Sequence, residues 1–288
     1  MNREALLLSL SAALLHATWN FAAKRAEGGG QVFIWGYVAA SALLWVPVTA
    51  VWSIWHPLQP SWTWLVAGFV SGMLHVVYGT LLQNGYAAGD MNVVYPLARG
   101  TGPLLTVLVA VLILRQHTTV LALAGVGLVV AGVLVISFGR RNPSSPHRRR
   151  VGIGYGVATG ASIAAYTLWD AHAVTRLGIP ALPYFTLGLL CQCLGQTPGA
   201  WRRRSTFRAL LSRYRREIAV VAVLSPLAYV FVLEALTLSP VSVVAPVRES
   251  SIVVGALLSW LVLREAHPAR RLAGSVVVLA GVAALALS

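Results

Sequence analysis

The chain of 288 residues carries few charges, and acids are the minority among them: eight Asp and Glu against 22 Lys and Arg. Charged residues make up 10% of the sequence, against about a quarter in an ordinary soluble domain. That shortage excludes a soluble enzyme with a hydrated surface. It also excludes a disordered chain, which stays unfolded through high charge and low hydrophobicity. Cysteine occurs twice, as Cys191 and Cys193 inside an apolar run. Residues two apart on a helix do not face each other. The pair therefore reads as two small hydrophobes rather than a disulfide or metal site, and a secreted disulfide scaffold is excluded. Lysine occurs once, at Lys24, so the remaining basic residues are all arginine. Enzyme motifs are missing as well: there is no His-Glu-x-x-His, no Gly-x-Ser-x-Gly and no P-loop. His16, His75, His117 and His172 fall in separate segments without metal-ligand spacing. No metal and no cofactor is expected.

What is present in excess is apolar side chain. Hydrophobic residues are 57% of the chain and mean hydropathy is +0.74, more than the interior of a soluble domain of this size can hide. The net charge of +14 and pI near 11 suggest a nucleic-acid binder. That reading needs basic residues on a folded, water-facing surface, and this chain has little of one, so no nucleic-acid partner is expected. A polytopic membrane protein remains. The arginines cluster between apolar stretches, as membrane-flanking charge does.

A lipid-spanning helix needs about 20 mostly apolar residues. Ten stretches qualify: 5–23, 31–55, 62–86, 92–115, 119–138, 151–170, 180–200, 217–238, 241–263 and 269–287. The first reads as a span rather than a cleaved signal, because His16, Trp19 and Asn20 follow its small residues Ala12 and Ala13 without a break. Small residues mark close helix approach. Gly152, Gly156 and Gly160 share one face of the sixth stretch, Gly125 and Gly132 one face of the fifth, and Gly274 and Gly281 one face of the tenth.

Sliding the chain by 150 residues places Val93-Val94-Tyr95-Pro96-Leu97 on Val243-Val244-Ala245-Pro246-Val247, Trp19 on Trp169, Asn20 on Asp170 and His117 on His267. A shift of 149 places Gly125 on Gly274 and Gly132 on Gly281. The chain therefore divides into two five-helix units, 1–138 and 151–288, joined by the basic linker 139–150. Five crossings are odd, so the second unit enters the membrane from the opposite side. The expected fold is an all-α polytopic membrane protein, ten transmembrane helices as two inverted five-helix repeats, an organisation common among secondary transporters.

The segment Ser239–Glu265, SPVSVVAPVRESSIVVGALLSWLVLRE, resembles the hallmark of EamA-type carriers of the drug/metabolite transporter superfamily. In that pattern a proline stands early in the fourth helix of a repeat, and the helix ends in an acid, here Glu265. A short turn and a Gly-containing fifth helix follow. The first unit departs from it, with Arg115-Gln116 where the acid is expected. The resemblance implies a carrier whose central cavity is lined by spans one, three, four, six, eight and nine. Such carriers move amino acids, metabolites, nucleotide sugars or drugs. The expected partner is a small-molecule substrate, and the expected location a bacterial inner (plasma) membrane.

Ionisable groups within spans cost several kcal/mol unless they face a cavity or a partner, so each is a functional hypothesis. His16, Trp19 and Asn20 share a face of the first span, and Tyr166, Trp169 and Asp170 hold the matching places in the sixth. They read as facing cavity walls, with Trp19 and Trp169 as interface anchors in the alternative reading. Arg99 lies one turn after Tyr95, while Arg248 and Glu249 occupy the matching part of the ninth span. Pairing Arg99 with Glu249 across the pseudo-twofold neutralises both and leaves Arg248 for an anionic substrate. The alternative is a closed network in which Arg248 pairs with Glu234 or Asp170. Pro96 and Pro246 remove a backbone hydrogen bond nearby and are expected to break their helices. Asp170 and Glu234 are the proton-coupling candidates. His75 and Tyr78 share a face of the third span and either contact substrate or bond a neighbouring helix. The absence of nucleotide-binding motifs argues against ATP as the driver. The rival class is an intramembrane enzyme using Asp170 and Glu234 as a carboxyl pair.

Numbering loops from the N-terminus, one side holds Arg3, Arg115 and Arg176. The other holds Lys24, Arg25 and the arginines of the basic loops 140–150 and 202–216, with Arg264, Arg270 and Arg271. These loops are expected to meet anionic lipid headgroups. The positive-inside rule favours external termini, whereas the family resemblance implies cytoplasmic ones. A homodimer is left open.

Overall fold

Within lipid a backbone must satisfy its own hydrogen bonds, and a long run of Leu, Val and Ala can do so only as a helix. The computed structural model describes residues 1–26, 30–137, 145–263 and 268–288. Each of the ten apolar stretches holds a helix. In the first half these are α1 (Arg3–Lys24), α2 (Gly30–Trp55), α3 (Trp62–Ala88), α4 (Met91–Leu112) and α5 (Val120–Ser137). In the second half they are α6 (Pro146–Thr175), α7 (Ala181–Trp201), α9 (Arg215–Leu238), the consecutive pieces α10 (Val241–Arg248) and α11 (Ser251–Leu263), and α12 (Pro268–Leu287). A short helix, α8 (Phe207–Arg213), lies in the basic connection before α9. Six of these helices are long and apolar enough to cross a membrane by length and composition. The starts follow capping chemistry. Asn2 Oδ1 accepts from the Glu4 amide, Ser145 Oγ from the Arg148 amide, and Pro180 and Pro240 precede α7 and α10. Glu265, His267, Arg264, Arg140 and Arg141 lie outside the described residues.

The helices pair by a rule of exchange between halves. α4 packs on α6 as α1 packs on α10 and α11; α3 packs on α6 as α1 packs on α9; α3 packs on α7 as α2 packs on α9. The pairs α5–α12 and α2–α7 map onto themselves. Replacing each segment by the one five later reproduces these pairings, which is the signature of a two-fold relation between the repeats.

The glycine faces lie at the closest of these crossings. A Cβ at Gly132 would sit 2.8 Å from the Gly274 carbonyl oxygen, and one at Gly281 would sit 2.7 Å from that of Gly125. The contacts are reciprocal, as two helices crossing on a two-fold axis require. On α6, a Cβ at Gly156 would lie 2.7 Å from Leu97 Cβ and one at Gly160 2.6 Å from Thr101 Cβ, so this stripe seats α6 on α4.

Two expectations about helix breaks need correction. α4 runs unbroken through Pro96. The ninth span does break, but after Pro246, between Arg248 and Ser251. Both prolines are the sixth residue of their helix, so proline alone does not decide the outcome. In the second half the backbone tightens: Glu249, Ser250, Ile252 and Val253 donate to carbonyls three residues back, at 3.0 Å each. Such 3₁₀-type bonds inside a helix mark a hinge or a strained stretch.

The helix ends sort the charges onto two faces. Asn2 N donates to Ser239 Oγ at 3.2 Å, joining the N-terminus to the end of α9. On the opposite face Arg148 Nη2 donates to the Gly89 carbonyl at 2.7 Å, and Arg203 lies beside Gly30. With the positive-inside rule, a reporter fused at Ser288 is expected to show external (periplasmic-type) activity. A cytoplasmic-type signal there would place the arginine face outside and overturn the charge-based orientation.

Candidate functional site

Polar side chains of both halves meet where α1, α4 and α10 converge. Arg99 Nη1 lies 3.2 Å from Glu249 Oε2, the pairing expected from the sequence. The two residues are 150 apart, the repeat period itself, so their contact lies on the pseudo-twofold axis. Arg99 Nη2 is 3.0 Å from His16 Nε2. A guanidinium only donates, so His16 accepts and its ring proton sits on Nδ1. The Tyr95 ring lies one turn below, 5.5 Å from the guanidinium carbon.

Arg248 Nη2 lies 3.7 Å from Glu249 Oε1. Neighbours in a regular α-helix stand about 100° apart; here the tightened turn at the end of α10 brings them together. Glu249 is therefore shared by two guanidiniums, with its side chain 2% exposed and that of Arg248 8%. The alternative network, in which Arg248 pairs with Glu234 or Asp170, does not form; Arg248 meets Glu249 instead. Arg248 Nε is buried without a hydrogen-bond partner.

Asp170 forms a second polar centre. It is fully buried. Tyr184 Oη donates to Oδ1 at 2.6 Å and Tyr229 Oη donates to Oδ2. An aromatic cluster adjoins it: the His75 ring stacks on Tyr166 at 4.3 Å and meets Tyr229 edge-on at 5.4 Å, and Tyr78 lies 5.6 Å from Tyr166. His75 Nδ1 is 2.9 Å from the Ser71 carbonyl of its own helix, which orients the ring. A cavity of about 20 Å³ opens beside Ser71, His75, Tyr184 and Tyr229, room for about one water molecule.

Other expected site residues lie differently. Asn20 Nδ2 donates back to the His16 carbonyl at 2.7 Å, so one of its amide donors is engaged by its own helix. Trp169 Nε1 donates to the Ala67 carbonyl of α3 at 3.0 Å, tying two helices together. Trp19 packs edge-on against His16 at 4.8 Å, and its Nε1 is buried without a partner. Glu234 is exposed on α9 and does not join Asp170, so the structure does not form the carboxyl pair that an enzyme reading requires. Tyr184 and Tyr229 were not anticipated. The only sequence signal was a hydroxyl-bearing ring within each of two apolar spans.

The fold and this interior define a helical membrane carrier built from two exchange-related halves. One model, that of the EamA-like transporter family, matches the chain twice, over residues 3–138 and 150–287. The chain belongs to that family. A protein known from a crystal structure is similar in fold, with a TM-score of 0.76 over 100% of this chain and 98% of its own, at 14% sequence identity. No curated protein sequence matches the chain.

Proposed function

We propose that the protein is a secondary-active transporter that exports or exchanges a small polar or amphipathic metabolite bearing an anionic group. The observation that carries this reading is the buried Arg248–Glu249–Arg99 network between the halves. One carboxylate balances two guanidiniums, and the unpaired Arg248 Nε offers a donor that a carboxylate or phosphate can accept. Arg248 and Glu249 are buried at this centre and Arg99 is partly accessible beside them. An anion that displaces Glu249 from Arg99 weakens an ion pair that joins the halves on their axis. That gives substrate a differential affinity for the opened state, as alternating access requires. Asp170, clamped by Tyr184 and Tyr229, is the proposed proton site. Its place one helix turn from the Tyr166 ring links protonation to the aromatic wall. A gradient rather than ATP drives the cycle, in the plasma membrane of a bacterium.

The test uses purified protein in proteoliposomes, with substrates found by a thermal-shift screen of metabolites. Intact labelled substrate is expected to cross when a pH gradient is imposed. Arg248→Ala is expected to slow transport about 100-fold, within the loss of about 2–5 kcal/mol for truncating one member of a buried charge pair, with insertion unchanged. Full activity of the variant would overturn the charged-centre reading. Recovery of a chemically altered substrate would favour an intramembrane enzyme.

A further inference from the structure

The larger cavity lies away from the charged centre. It is a half-open crevice of about 100 Å³ between α2, α3 and α7, lined by Gln31, Gln83, Gln196 and Thr80 with apolar walls from Ile34 and Val76. Several times the space of one water is available there. Three carboxamides in one crevice between apolar helices are unusual, since an amide in an apolar setting is costly without a partner. Gln196 Oε1 is buried and has none. Its placement sets a depth. Gln196 and Gln83 each stand five residues before the last residue of their helix, about 7 Å in from the helix end, the level where headgroup gives way to acyl chain. At the mouth is a cation: Arg203 Nη1 would be 3.6 Å from a Cβ at Gly30, the residue beside Gln31. Arg202 and Arg204 are exposed on either side. The two-fold relation does not repeat the feature, because the places matching Gln83 and Gln31 are Leu233 and Ala181.

We propose that this crevice binds the headgroup of an anionic phospholipid with free hydroxyls, Arg203 taking the phosphate and the carboxamides taking the hydroxyls and ester carbonyls. The chemistry is that of a hydroxylated phosphate ester. The position at a leaflet boundary, with Ile34 and Val76 below for the first acyl carbons, selects the lipid over a soluble ester. The proposal stands apart from the transport reading.

Native mass spectrometry of the full-length protein in detergent tests it, with phosphatidylglycerol, phosphatidylcholine and glycerol 3-phosphate as probes. One phosphatidylglycerol is expected to bind about fivefold more tightly than phosphatidylcholine, the contribution of one basic residue at an anionic headgroup. Arg203→Ala is expected to erase that preference. Gln196→Leu and Gln83→Leu are expected to weaken phosphatidylglycerol binding, while Arg215→Ala/Arg216→Ala at the start of α9 leaves it unchanged. Equal losses in the Arg203 and Arg215/Arg216 variants would overturn the proposal in favour of diffuse attraction. So would undiminished binding in both glutamine variants. Binding of glycerol 3-phosphate as tight as that of the lipid would make the crevice a soluble-ligand site and overturn the lipid assignment.

Discussion

Glu249→Gln is expected to stop transport and to lower the stability of the purified protein by about 3–5 kcal/mol, the usual result of breaking a buried ion pair from one side. The side chain is 2% exposed, so solvent screening offers little relief. Its carboxylate lies against both Arg99 and Arg248, and removing the charge leaves two guanidiniums facing each other without a counter-ion. A fall in melting temperature of roughly 10 °C follows from a loss of that size. The double variant Arg99→Gln/Glu249→Gln removes one cation with the anion. It is expected to recover part of the stability, with a coupling of about 1–3 kcal/mol, but not the transport, because the proposed anion contact has lost half of its donors. Thermal unfolding of the four proteins of the cycle measures this. A Glu249→Gln variant that melts with the wild type would show that Glu249 is not the counter-ion that closes the centre.

Gly132→Leu is expected to have the other large effect, on folding rather than on chemistry. A Cβ there would lie 2.6 Å from Val278 Cγ2 and 2.8 Å from the Gly274 carbonyl oxygen. The side chain of Val278 can rotate, but the carbonyl belongs to the backbone of α12 and can yield only if the whole helix moves. Overpacking in a well-packed interior costs about 1–3 kcal/mol, and a crossing that must separate over its length reaches the upper end or beyond. Gly127→Leu, five residues earlier and about 140° around the same helix, meets no atom within 4 Å of its Cβ and is the matched control. Size-exclusion profiles of the two variants in detergent decide the matter. A sharp peak is expected for Gly127→Leu, and aggregate or loss for Gly132→Leu. Equal profiles would mean that α5 and α12 do not cross as closely as described.

These two sites differ in how far the sequence announces them. Arg99 and Glu249 were readable because they hold equivalent places in the repeats and carry opposite charge, and residues related by a two-fold axis can meet on it. The glycine faces were readable because a spacing of four or seven residues lies on one side of a helix whatever surrounds it. The polytopic membrane character, the spans and the division into halves rest on composition and self-similarity, and the carrier class on the resemblance of the segment Ser239–Glu265.

The environment of Asp170 was not readable in this way. Its partners Tyr184 and Tyr229 stand 14 and 59 residues away on α7 and α9, and nothing in either span marks the ring as inward. Glu234 shows the same limit from the other side: a carboxylate in an apolar span suggested a buried role, and the rotation of α9 leaves it exposed. The break after Arg248, and its absence in α4 with an equally placed proline, also emerged only from the packed backbone. In a soluble protein, hydrophobic periodicity tells which face of a helix turns inward, because water and core differ. Here lipid is as apolar as the interior. The sequence by itself therefore determined how many apolar segments there are, how they repeat and which charges must find partners. Which face of each helix meets which neighbour was decided by close packing among the helices, and with it the clamp on Asp170 and the crevice of Gln31, Gln83 and Gln196.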